Sequence, residues 1–197
     1  MASRFASALR TVNRLFQGVP TTLVTQMRFA LVGGLAVSAW GRVRATQDID
    51  VLADSVPSPL QEPALRNRLG AVWEARGCIV EWRVGMPDDP IPLLLHLVLP
   101  PPAQTAIDVL WAWKGWQREA LARVCTVRVA RTTIAVLHPE DLILMKLEAG
   151  GPLDLLDVES ILLANPPELD QERLFKAATK LRVRTVLNQC LQQISKE

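Results

Sequence analysis

Three aspartates carry the densest chemical signal in this chain. Asp48 and Asp50 stand two apart in the run Asp48-Ile49-Asp50-Val51-Leu52. On an extended segment that spacing projects both carboxylates from one face of a sheet. Side by side they repel each other unless a cation sits between them. Asp108 is the only charge in the strand-like residues 105–111, and a charge taken from water alone needs a partner or a metal. A third carboxylate brought next to the first two would make a two-ion site for Mg²⁺, with Mn²⁺ the alternative ion. Mg²⁺ takes oxygen ligands, usually one or two carboxylates plus phosphate oxygens. Such a site activates an attacking oxygen and holds phosphates for in-line displacement.

A phosphate partner has its own signal. An apolar segment ending at Val32 runs into Gly33-Gly34, directly before a short helical pattern. Glycines let a backbone approach a ligand closely, and a helix start offers unpaired N–H groups and the positive end of a dipole. Charge layout agrees with this. Net charge is only +2, yet residues 1–47 hold Arg4, Arg10, Arg14, Arg28, Arg42 and Arg44 and no acid, so the first carboxylate is Asp48 itself. Arg42 and Arg44 are therefore candidates to meet an anionic ligand.

The elements that must position these groups follow from hydrophobic spacing and breakers. Helices are expected over 4–16, 35–41, 60–76 and 115–122, with a further one near 20–27. Strands are expected over 29–32, 48–53, 78–84, 93–99 and 105–111, and residues 124–136 read as β-rich. From Pro139 onward the chain reads as helices over 139–149, 152–164, 170–179 and 180–194. Strands first and helices last give an α+β fold with a helical C-terminal portion. The division expected is an α/β core with an N-terminal helix over 1–137 and helices over 138–197 that complete the site. Phe5, Leu9, Val12 and Phe16 share one face of the first helix, which favours an amphipathic helix over a transit peptide despite its arginines.

The order hG[GS], then 9–13 residues, then Dh[DE]h and a later strand carboxylate resembles the nucleotidyltransferase superfamily. Here it reads Val32-Gly33-Gly34, thirteen residues, Asp48-Ile49-Asp50-Val51, and Asp108. Within that superfamily the chain resembles the minimal members related to AbiE/MenT-type toxins. The residues carrying this are Pro139-Glu140-Asp141-Leu142 with Lys146, followed by Asp154 and Asp157. The resemblance spans roughly 28–164. It implies a mixed β-sheet flanked by helices, with Gly33 and Gly34 cradling phosphates and Asp48, Asp50 and Asp108 binding metal. Asp108 is also the candidate base, Lys146 contacts the triphosphate, and Asp154 or Asp157 completes the site from the helical side. Gly151 stands where relatives usually place arginine, and Arg44 is the candidate to compensate.

The resemblance further implies an NTP substrate, transfer of a nucleoside monophosphate to an acceptor hydroxyl on RNA, tRNA or protein, and a cognate antitoxin as partner. Antibiotic nucleotidyltransferases share the glycine pair and Asp-Ile-Asp, so an aminoglycoside or lincosamide acceptor is the alternative. A nucleotide-binding or interaction protein without catalysis is the reading from another class, with Gly151 its only hint.

Other features read as structural. Trp111 and Trp113 are expected in the core on the strand face opposite Asp108. The basic residues of 114–131 (Lys114, Arg118, Arg123, Arg128 and Arg131) read as a solvated face, and His96 and His138 as satisfied structural histidines. Three scattered cysteines, Cys78, Cys125 and Cys190, make no CxxC pair, which points to free thiols in a reducing cytoplasm. No apolar run nears the roughly 18 residues of a membrane span.

Overall fold

In a computed structural model the chain is described over residues 2–86, 89–129 and 132–195, with the side chains of 2–5 and 129 outside the description. It divides into two compact units: residues 1–31 with 46–136, and residues 32–45 with 137–197. The segment 32–45 therefore groups with the C-terminal helices.

The first unit holds α1 (Ala2–Gln17), β1 (Gln26–Leu31), β2 (Ile49–Val56), α3 (Pro63–Glu74), β3 (Ile79–Val84), β4 (Leu93–Val98), β5 (Ala106–Trp111), α4 (Gly115–Leu121), β6 (Cys125–Val129) and β7 (Thr132–Val136); α2 (Gly33–Trp40) interrupts it in sequence. Its strands form one seven-stranded sheet in the order β3-β4-β5-β2-β1-β7-β6. The sheet is mixed: β2 runs parallel to β5 and β1 parallel to β7, and the remaining neighbours are antiparallel.

One sheet face is the core. Val51, Val109, Leu95 and Leu31 lie on it, all essentially buried. The α3 side chains Leu65, Leu69 and Trp73, spaced by four, are fully buried. Each stabilises the unit by about 1.5–3 kcal/mol through removal of apolar surface from water. Aromatic rings run along this face in contact. Phe29 stacks on Phe16 at 4.7 Å, Phe16 meets Trp73 at 5.9 Å, Trp73 meets Trp82 at 6.3 Å, and Trp82 meets Trp111 at 5.6 Å. Trp111 is thus a core residue. Trp113 is not: it lies past the end of β5, 42% exposed, with the Lys114 ammonium 4.9 Å from its ring centre. Strand alternation stops at Trp111, so it no longer dictates which way Trp113 points.

The N-terminal segment is helical as expected, with Leu9, Val12 and Phe16 buried; the Phe5 and Arg4 side chains lie outside the described residues, as does Arg131. No helix forms near 20–27. Turns occupy that stretch and β1 begins at Gln26. Thr21, Thr22, Val24 and Thr25 are β-branched, which disfavours a helix. Residues 26–31 instead pair along their whole length with β2, from Gln26 opposite Val56 to Leu31 opposite Val51.

The second unit is helical: α2, α5 (Pro139–Ala149), α6 (Pro152–Ala164), α7 (Gln171–Lys180) and α8 (Arg184–Ile194). Proline at the first turn starts both α5 and α6, where its missing N–H costs nothing. Glu140 and Asp141, both buried, sit in the first turn of α5, where the dipole favours negative charge. Gly150 ends that helix in the left-handed conformation, φ +68°, a conformation glycine adopts without strain. His138 is the residue before Pro139, and its carbonyl accepts from Leu142 N–H at 3.0 Å. Cys78 and Cys190 are buried free thiols, and Cys125 is partly buried; burial pushes the Cys78 and Cys190 thiols up from their ordinary range. No helix among the described residues is long and apolar enough to cross a membrane.

Candidate active site

The polar face of the sheet carries the first half of the candidate groups. Strand register places Glu81 opposite His96, His96 opposite Asp108, and Asp108 opposite Asp50. Partners in register share a face, so one row crosses β3, β4, β5 and β2 with these four side chains on the same side. Asp50 and Asp108 are the pair that the sheet itself brings together, on adjacent parallel strands. Asp48 stands one residue ahead of β2, with its backbone carbonyl accepting from the Thr46 hydroxyl at 3.1 Å. Its carboxylate makes no ion pair or hydrogen bond among the described residues.

His96 changes the picture drawn from sequence. Its Nδ1 lies 2.6 Å from Oδ1 of Asp108, and both side chains keep about a quarter of their surface exposed, 24% and 28%. Asp108 therefore has a partner, and the histidine is satisfied by an acid of the polar face. At the end of the row Glu81 is forked by its strand neighbour Arg83 at 2.9 and 3.1 Å. That hydrogen-bonded pair draws the Glu81 carboxyl down and pushes the Arg83 guanidinium up. The signal for His96 was present in β4, Leu93-Leu94-Leu95-His96-Leu97-Val98, where one polar side chain in an apolar strand must find a partner.

Among the described residues, no three acidic, histidine or cysteine side chains stand close enough to enclose an ion unaided. Like-charged carboxylates do not crowd together without a cation. Two carboxylates in register on adjacent strands nevertheless match the habit of Mg²⁺, which relies on one or two carboxylates and completes its shell with phosphate oxygens and water. The donor set is all hard oxygen, and it fits.

The helical unit holds the second half. Gly33 opens α2 with φ +58°, a conformation a side chain would strain. No side chain caps this helix start. Ser38 donates to the Gly34 carbonyl at 2.9 Å and accepts from Arg44 N–H at 3.3 Å, tying α2 to the following segment.

Arg44 then forks Asp157, Nε to Oδ1 at 2.9 Å and Nη2 to Oδ2 at 3.1 Å. Lys146 reaches Oδ1 of Asp154 at 2.6 Å and Oδ2 of Asp157 at 3.0 Å. Two cations and two carboxylates form one neutral cluster, with the Asp157 side chain only 4% exposed. Gly151 lies close under the Asp154 carboxylate. A Cβ there would come within 2.9 Å of Asp154 Oδ2. Arginine does reach this cluster, but from Arg44. Ser38 was not foreseen, since its role depends on contacts made only in the fold.

Comparison with known proteins bears on the fold. No family profile and no curated protein matches the chain in sequence. Among solved structures, the chain is similar to the antibiotic-resistance factor ANT(2'')-Ia in solution, at 18% identity and a TM-score of 0.54, over 98% of this chain and 99% of that one. The chain has a nucleotidyltransferase-like fold. A crystal structure of an antigenic nucleotidyltransferase-like protein from Paracoccidioides brasiliensis is also similar, at 18% identity and a TM-score of 0.49, over 97% of this chain and 90% of that one. The nucleotidyltransferase-like sheet is thus the scaffold on which Asp50 and Asp108 meet.

Proposed function

We propose that this protein is a Mg²⁺-dependent nucleotidyltransferase that moves a nucleoside monophosphate from an NTP to an acceptor hydroxyl and releases pyrophosphate. The observation that carries the reading is the register of Asp50 and Asp108 on adjacent parallel strands of a nucleotidyltransferase-like sheet. Asp48, Asp50 and Asp108 are the residues that would hold Mg²⁺ or Mn²⁺, which when bound neutralises triphosphate charge and lowers the cost of in-line displacement. Gly33 and Gly34 offer backbone to the phosphates. Lys146 and Arg44 supply positive charge, and Asp154 and Asp157 keep both cations in fixed orientations. Such pre-set charges need no reorganisation as charge develops.

For the acceptor, the resemblance to toxin-type members supports an RNA or tRNA end or a protein hydroxyl, with an antitoxin as partner. A second reading has its own observation. The sheet row and the residue just ahead of β2 are acidic, with Asp48, Asp50, Asp108 and Glu81 against His96 and Arg83, and the similar ANT(2'')-Ia is an antibiotic-resistance factor. A polycationic small acceptor such as an aminoglycoside suits that charge.

The test is incubation with labelled NTPs and Mg²⁺, with total RNA or an aminoglycoside as acceptor, beside Asp48→Ala. Label should reach one acceptor class, and the variant should lose about a thousandfold in rate, equivalent to about 4 kcal/mol. Transfer that persists in Asp48→Ala sinks the metal assignment. NTP binding by the native protein without any transfer makes it a binding module instead.

A further inference from the structure

The Asp108–His96 contact is absorbed by neither the motif nor the reading above, yet it sits on the oxygen chemistry that reading needs. Asp108 has two carboxylate oxygens. Oδ1 is taken by His96 Nδ1 at 2.6 Å, and Oδ2 accepts no hydrogen bond among the described residues. Opposite a carboxylate oxygen the ring nitrogen is the donor, in the neutral Nδ1–H tautomer and in the imidazolium alike. The contact therefore does not depend on the ring's protonation state. It does depend on the sheet. His96 and Asp108 are direct register partners on antiparallel strands, so backbone pairing fixes the distance between their Cα atoms.

On the other side of the histidine stands an acid with its own hydrogen-bond partner. Glu81 is its register partner on β3, but the Glu81 oxygens are forked by Arg83. His96 is thus directed at Asp108 and not shared with Glu81.

We propose that His96 is a positioning residue for the metal site. By holding Oδ1 it fixes the rotation of the Asp108 carboxylate and leaves Oδ2 as the oxygen for a cation, making Asp108 a one-oxygen ligand. This rests on the reading of Asp50 and Asp108 as metal ligands. Hydrogen-bond partners behind metal-binding carboxylates orient them, and losing one costs about 10- to 100-fold in metal affinity or activity.

The experiment measures Mn²⁺ binding to the full chain by electron paramagnetic resonance of the free ion. It compares the native protein with His96→Ala, His96→Asn, His96→Gln and Asp108→Asn, each checked for folding by circular dichroism and melting. Asparagine places an amide nitrogen near the position of Nδ1, whereas glutamine places it near Nε2 and fills more of the ring's space. His96→Ala and His96→Gln should weaken Mn²⁺ binding about tenfold, and His96→Asn should restore it to within about threefold of native. Native affinity in folded His96→Gln, alongside a loss in Asp108→Asn, overturns the positioning role and leaves the metal site standing. Equal weakening in His96→Asn and His96→Gln overturns the donor at Nδ1 as the cause. If Asp108→Asn binds Mn²⁺ like the native protein, the metal reading itself falls, and the role of His96 falls with it.

Discussion

The two units place acids in opposite electrostatic situations. In the helical unit, Asp154 and Asp157 are closed off by Lys146 and Arg44, four charges that sum to zero within ion-pair distance. In the sheet unit, Asp50 and Asp108 stand in register as like charges, and Asp108 is met by a neighbouring histidine at 2.6 Å. Paired charges that satisfy each other hold one another in fixed orientations. Carboxylates set side by side repel each other unless a cation sits between them. The same residue type therefore does different work, and the difference is set by what the fold places opposite it.

That contrast is broken most severely at Asp157. It alone touches both cations and is nearly buried, so Asp157→Ala leaves Arg44 and Lys146 facing each other without their shared anion. Removing one partner of a buried pair costs about 3–5 kcal/mol, and the partial exposure of Arg44 favours the lower end. Urea unfolding should show the loss as a lower midpoint with an unchanged slope. A midpoint within error of native would mean that the cluster is solvated and the contrast empty.

Arg44→Lys is gentler. It keeps the charge but cannot fork both oxygens of Asp157, and lysine's point charge cannot replace a planar two-bond donor. The expected cost is about 1.5 kcal/mol, the scale of one hydrogen bond to a charged group. Nucleotide affinity, followed by fluorescent ATP titration, should fall as well. A drop in stability with affinity untouched would confine Arg44 to structure.

Much of this was legible in the sequence because it depended on local spacing. The four-residue apolar period of Leu65, Leu69 and Trp73 forces a helix with one buried face. The run around Asp108 forces a strand, and proline followed by a late glycine brackets α5. Asp48, Asp50 and Asp108 could be nominated because charges in apolar runs are rare and costly. Contacts set by register or by distant segments could not be read. Arg44 meets Asp157 across 113 residues of chain, and His96 meets Asp108 only because β4 and β5 pair with one particular offset. A one-residue slip would send His96 to the opposite face, and nothing in the sequence alone excludes that slip. The missing helix near 20–27 has the same origin, since pairing with β2 decides the conformation of residues 26–31.

Asp54 lies between the two situations and gives the finest test. It shares the polar face of β2 with Asp50, two alternations further along, but is 8% exposed. Arg28 is its register partner on β1, and Arg118 of α4 also acts on it. Neither cation makes an ion pair with it, and burial outweighs both, so its carboxyl is held above the ordinary range. The folded chain therefore binds that proton more tightly than the unfolded chain does. Its contribution to stability is complete below the ordinary aspartate value, about 3.9, and is lost as pH rises through the raised value. At neutral pH ionised Asp54 is a cost, so Asp54→Asn should melt slightly higher than native at pH 7. That advantage should shrink on acidification and vanish below about pH 3.9. A variant that melts lower at pH 7 would show that Arg28 and Arg118 compensate the charge after all. Asp54 would then belong with the closed cluster of paired charges.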